Sequence, residues 1–150
     1  MENLMKTVYL DTCSIQRPLD DKSQVRVAIE AEAVIMLVSL CEPNAFQLVS
    51  SDALVFEQER NPNSRRREFS QQILQLAKIF IESNNSVLNR AEEWQKNGLS
   101  LLDAIHFASA IEANADYFCT TDVKLYRQIK KSLCVKPKVV LPLELLEELI

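Results

Sequence analysis

Four acids are marked out by their surroundings. Asp11 directly follows the apolar run Val8-Tyr9-Leu10, and Glu57 follows Ala53-Leu54-Val55-Phe56. Asp103 lies inside Leu101-Leu102-Asp103-Ala104-Ile105, and Asp122 closes Tyr117-Phe118-Cys119-Thr120-Thr121. Acids in such company lie close to buried elements, where an unpaired carboxylate is expensive. Gathered at one place, these carboxylates would suit a hard divalent cation, because Mg²⁺ and Mn²⁺ prefer oxygen ligands. Each acid also has a plainer reading. Asp11 and Asp122 can cap strand-to-helix turns, Asp103 can complement the positive end of its helix, and Glu57 can be a solvated helix residue.

Other chemistries are excluded by shortage. Gly98 is the only glycine, so neither a G-x-G-x-x-G dinucleotide loop nor a Walker phosphate loop can exist. His106 is the only histidine, which rules out a zinc site built on several. It shares a helix face with Asp103, three residues earlier, and reads as a packing or substrate-edge residue. Cys13, Cys41, Cys119 and Cys134 show no C-x-x-C spacing and read as reduced packing residues, Cys13 included. A phosphatase of the haloacid dehalogenase type would need a second Asp two residues after Asp11, where Cys13 stands. The stretch Met1 to Lys6 lacks an apolar signal region, and the apolar run Ala33–Cys41 is too short to span a bilayer. A cytoplasmic protein with no membrane partner is expected.

The elements that position the acids alternate between short β-type runs and longer helical ones. Strands are expected at Thr7–Leu10, Phe46–Ser50, Ser86–Leu88, Tyr117–Thr120 and Val139–Leu141. Helices are expected over Gln24–Leu40, from Asp52 to about Arg60 behind a Ser51 cap, and from Ser64 through Phe80. Further helices run from an Asn89 cap to Asn97, with Gly98 at C′, and from Leu101, capped by Ser100, to Asn114. The last two span Val123–Ser132 and Pro142–Ile150. Strands separated by helices imply crossovers and a parallel sheet covered on both faces, a three-layer α/β/α sandwich of four to five strands. At 150 residues, one domain over 1–150 is expected. Ligands of such sheets collect beyond the strand carboxyl ends, and Asp11 and Asp122 would both stand there.

Four stretches in register resemble the PIN domain, the fold of VapC-type toxins and related metal-dependent nucleases. They are Val8-Tyr9-Leu10-Asp11-Thr12-Cys13-Ser14, Val49 to Glu57, Gly98 to Ala110, and Ala115 to Asp122. The resemblance implies strand order 3-2-1-4-5 and a catalytic quartet of Asp11, Glu57, Asp103 and Asp122. It implies Mg²⁺ or Mn²⁺ held by Asp11, Asp103 and Asp122, with Glu57 as ligand or water-orienting base. Thr12, Thr120 and Thr121 would support the site. The expected activity is endoribonuclease cleavage of RNA phosphodiesters, leaving a 5′-phosphate and a 3′-hydroxyl. The expected setting is a type II toxin–antitoxin pair or a stand-alone relative, with an antitoxin or a second copy of the chain as partner. The alternative is a PIN-like RNA-binding or protein-interaction module without catalysis.

Some residues stay open at this level. Glu59 follows Glu57 by two positions, and on a helix the two point about 200° apart, so only one can face the site. Asp116 precedes the fourth strand and reads as a turn residue. Net charge is −4, which argues against general affinity for polyanions. Arg65 and Arg66 after Glu57, and Lys124 and Arg127 after Asp122, could still border the site and hold RNA phosphates. Trp94 and Tyr126 read as packing residues first and base-stacking residues second. The apolar helix Val25 to Leu40 offers more surface than a sheet can cover.

Overall fold

Lys6–Leu10 forms the first strand, β1, because Thr7, Val8 and Tyr9 favour extended backbone and fit a pleated surface. The computed structural model describes residues 5–150; residues 1–4, part of the N-terminal stretch considered above, lie outside the described residues. Four further strands follow: β2 Phe46–Ser51, β3 Ile79–Ile81, β4 Tyr117–Cys119 and β5 Lys138–Val140. They form one parallel sheet of order β3-β2-β1-β4-β5. Lys6 pairs with Phe46 on one side of β1, and Leu10 with Cys119 on the other. The central strand is thus flanked by those leading to Glu57 and to Asp122.

The helices among the described residues are α1 Thr12–Gln16, α2 Val25–Cys41, α3 Asp52–Arg60, α4 Ser64–Leu74, α5 Asn85–Lys96, α6 Leu101–Glu112, α7 Val123–Lys131 and α8 Pro142–Leu149. Their packing on the sheet makes the three-layer sandwich. Side chains at alternate strand positions point to opposite faces, so the central strands are apolar on both. Val8, Tyr9, Leu10 and Phe118 are fully buried. Aromatic rings continue from the sheet into the helical layer: Tyr9 stacks on Phe118, which meets Phe107 edge-on, and Phe107 meets Trp94 edge-on at 4.6 Å. Trp94 therefore packs rather than waits for a base. The four cysteines are free thiols.

The third strand differs from expectation. Ser86–Leu88 is not a strand, and Phe80 is not helical. Helix α4 stops at Leu74, where amides of Leu76 and Ala77 close a turn on the Ile73 and Leu74 carbonyls. Lys78 then donates to Leu48 and starts the ladder of β3 against β2. The Asn84 side chain accepts from the Val87 amide at 3.0 Å, so Asn84, not Asn89, caps α5. A side-chain cap converts Ser86–Leu88 into helix despite its β-type composition. Phe80 is 52% exposed because β3 is an edge strand, and its spacing from Phe69 is therefore not a helical stripe.

Several local signals are realised. Ser51 and Ser100 cap α3 and α6 through the Leu54 and Asp103 amides. Gly98 has φ +100° at the C′ position of α5, a conformation that a side chain would strain. Asp116 accepts from the Thr7 amide at 2.8 Å, at the sheet end opposite the other acids. No helix among the described residues is long and apolar enough to cross a membrane.

Phe118 joins the sheet to α6. Phe118→Ala should lower the free energy of unfolding by about 3–5 kcal/mol, read from urea denaturation. A loss under about 1 kcal/mol would show that the aromatic column does not carry the core.

Candidate active site at the carboxyl edge

Asp11 makes the turn from β1 into α1. Its Oδ1 accepts from the Ser14 amide at 3.0 Å and from the Cys13 thiol at 3.1 Å. Its own amide donates to the Cys119 carbonyl at 3.1 Å, which ties it to β4. Asp11 is only 5% exposed. Burial raises its carboxyl above the ordinary value, against the pull of the Thr120 and Cys13 side chains and the Ser14 amide. The Cys13 thiol is pushed up to about 12 by its burial and by the Asp11 charge, so it remains a thiol donor.

Asp122 caps α7. Its Oδ1 accepts from the Lys124 and Leu125 amides at 3.0 and 3.1 Å, and its own amide donates to the Thr120 hydroxyl at 3.0 Å. The cap reading of Asp122 is realised, and the other oxygen takes no hydrogen bond from the described residues. Asp103 lies in the first turn of α6. Burial raises its carboxyl, Ser100 opposes this, and the charges of Asp11 and Asp122 raise it further. Asp103 is close enough to sense both Asp11 and Asp122.

Glu57 is turned inward on α3, whereas Glu59 is exposed. The Glu57 Oε1 accepts from the Thr12 hydroxyl at 2.5 Å and meets His106 Nε2 at 2.5 Å. Burial acts to raise this carboxyl, but the hydrogen bond and charge of His106, with the Thr12 hydroxyl, bring it below its ordinary value. His106 is 2% exposed and its Nδ1 lies 2.6 Å from the Tyr9 hydroxyl. That hydroxyl is 2.7 Å from Ser51 Oγ. A carboxylate only accepts, so we assign the Nε2 proton to the Glu57 side. The other ring nitrogen, Nδ1, is the partner of the Tyr9 hydroxyl, and burial keeps the phenol protonated.

The carboxyl edge therefore carries Asp11, Glu57, Asp103 and Asp122. Among the described residues no Lys or Arg forms an ion pair with any of them. The donors fit a hard divalent cation in kind, being carboxylate oxygens that no lysine or arginine among the described residues neutralises. Among the described residues no three Asp, Glu, His or Cys side chains converge closely enough to cage an ion. A shared ion would require the partly exposed Asp103 and the exposed Asp122 to turn toward Asp11.

The basic residues divide. Arg65, Lys124 and Arg127 are exposed. Arg66 is held inside the molecule by Asp20 at 2.9 Å, Gln16 at 3.0 Å and the Leu19 carbonyl at 3.1 Å. Tyr126 donates to Glu144, as a packed residue does. The sequence marks Ser51 only as a cap and does not single out Tyr9 or Arg26 for a role at the site. Arg26 donates to the Thr121 carbonyl at 2.7 Å and pairs with Glu30 at 3.3 Å, beside the loop that carries Thr120 and Asp122. A buried tyrosine needs a partner for its hydroxyl, and that was the one available signal for Tyr9.

A helix-covered parallel sheet with uncompensated carboxylates along its carboxyl edge defines an α/β protein that works at that edge. The chain belongs to the PIN domain family, whose model matches residues 8–131 and so spans all four acids. PIN domains are in general nucleases, hydrolases that use divalent metal ions. No curated protein matches the chain.

The two tasks of Asp122 can be separated. Asp122→Ala should cost about 1 kcal/mol of stability by loss of the cap, while Asp122→Asn should cost much less because Asn also caps. Thermal unfolding of both variants checks this; equal losses would mean that the cap carries no stability.

Proposed function

We propose that the protein is a metal-dependent endoribonuclease, with Asp11, Glu57, Asp103 and Asp122 as its catalytic carboxylates. The supporting observation is the acidic edge itself: carboxylates on four neighbouring elements, one of them buried, with no Lys or Arg paired to them. Asp11, Asp103 and Asp122 hold Mg²⁺ or Mn²⁺. Such an ion supplies Lewis-acid polarisation of a phosphoryl oxygen and acidifies water.

The chain's own residues supply position and charge. Glu57 offers Oε2 to the ion or orients the attacking water, while Thr12 holds its other oxygen. Thr120 and Thr121 shape the loop that carries Asp122. Arg65, Lys124 and Arg127 hold RNA phosphates on the rim, and Arg66 contributes mainly by fixing the segment around Asp20. Residues 1–150 act as one nuclease domain.

The broader role proposed is that of a toxin in a type II toxin–antitoxin pair, or a stand-alone relative, acting in the cytoplasm. Two apolar surfaces support a protein partner, whether an antitoxin or a second copy. One is a groove of about 610 Å³ between α3 and α6 lined by Ala53, Val55, Phe56, Leu101, Leu102 and Ile105. The other lies along α2 and α8, where Val25, Ile29, Met36 and Leu143 are exposed.

Purified protein should cut members of a panel of structured and single-stranded RNAs with Mg²⁺ or Mn²⁺ and not with EDTA. Asp11→Asn and Asp103→Asn should each lose at least about 100-fold, the scale of several kcal/mol of metal-derived stabilisation. Folded protein that cuts no RNA under any metal, or variants that cut as well as the parent, would overturn the assignment.

A further inference from the structure

Three partly or fully buried hydroxyls and one imidazole lead to a single oxygen of Glu57. Ser51 Oγ, the Tyr9 hydroxyl and His106 follow one another at 2.7 and 2.6 Å, and His106 then reaches Glu57 Oε1 at 2.5 Å. Thr12, just past the carboxyl end of β1, donates to the same Oε1. Oε2 takes no hydrogen bond from the described residues. The carboxylate is thus fastened by one oxygen and open at the other.

The members of this chain sit on the elements that bear the acids. Tyr9 is two residues before Asp11, and alternate strand positions share a face. His106 is three residues after Asp103 on α6, on the same side of that helix. Ser51 accepts from the Leu54 amide at 3.2 Å and so caps the helix that carries Glu57. A glutamate on a short helix has three free torsions; two donors on one oxygen remove most of that freedom. Every atom of the Tyr9–His106 step has a partner, which makes the chain rigid rather than a buried polar defect.

We propose that Ser51, Tyr9 and His106 form a positioning relay that fixes the Glu57 carboxylate by Oε1 and presents Oε2 to the acidic edge. Their role is to set where the oxygen stands relative to Asp11 and Asp103, with no contact to substrate. The relay rests on the nuclease reading of that edge and extends it to residues outside the quartet.

Tyr9→Phe removes one hydroxyl and keeps the ring; His106→Ala removes the link; His106→Gln retains an N–H donor. For each variant the midpoint of thermal unfolding, Mn²⁺ affinity of the metal-free protein by calorimetry, and kcat and KM on an RNA that the parent cuts should be measured. His106→Ala should lose about 100-fold and Tyr9→Phe about tenfold in kcat or in Mn²⁺ affinity, with KM for RNA unchanged. His106→Gln should recover part of the alanine loss without a matching gain in unfolding midpoint. Variants that unfold earlier yet keep kcat and Mn²⁺ affinity within about twofold would make the relay a packing feature and overturn the inference. If His106→Ala does not fold, Tyr9→Phe decides. If the parent cuts no RNA, the nuclease reading fails, and the Mn²⁺ titrations alone decide the relay: unchanged affinity overturns it, weakened affinity upholds it.

Discussion

One carboxylate oxygen, Glu57 Oε1, receives donors from two directions, the Thr12 hydroxyl at the end of β1 and the His106 imidazole on α6. That junction binds α3 to the central strand and to the helix beyond it. Through Tyr9 and Ser51 it extends to β2. A polar path at this depth is tolerable because each step is satisfied; a single missing partner would leave a buried group unsolvated. The geometry of the acidic edge therefore depends on how the core is hydrogen-bonded, as well as on where the backbone turns.

The acids themselves repel, and the fold offsets this in part. Asp122 caps α7 and Asp103 lies in the first turn of α6, so each carboxylate meets the positive end of a helix dipole. Asp11 is capped into α1 by the Ser14 amide. In a parallel sheet every strand-to-helix turn points a helix N-terminus at the carboxyl edge. The cap reading and the site reading are thus compatible: the oxygen of Asp122 that caps is not the oxygen left open. What remains uncompensated is negative charge of the kind that a hard cation relieves.

Net charge is −4. Arg17, Arg26 and Arg66 are absorbed in pairs with Asp20 and Glu30 next to the site, where they brace the segment between α1 and α2. The exposed cations Arg65, Lys124 and Arg127 lie on α4 and α7. A net negative charge gives no general attraction for polyanions, so the phosphate contacts proposed above rest on individual side chains.

Local patterns made much of the fold legible. Strand β1 with its terminal Asp, the Ser51 and Ser100 caps, Gly98 at C′ and the long apolar α2 all follow from neighbours within four or five residues. The family resemblance brought the strand order and the quartet. The third strand falls on Ile79–Ile81 rather than Ser86–Leu88 because the Leu48 carbonyl starts the ladder beside the first and the Asn84 cap turns the second into helix. The choice between Glu57 and Glu59, the burial of Arg66 in an ion pair, and the link of His106 to Tyr9 were outside the reach of periodicity. Those contacts join residues tens of positions apart, up to 97 for Tyr9 and His106. The sequence alone determined which residues carry charge and which elements carry them, since capping and alternation are local. The tertiary structure decided which elements bring the acids to one edge and which oxygen of Glu57 and of Asp122 is open, because that depends on which strands become neighbours.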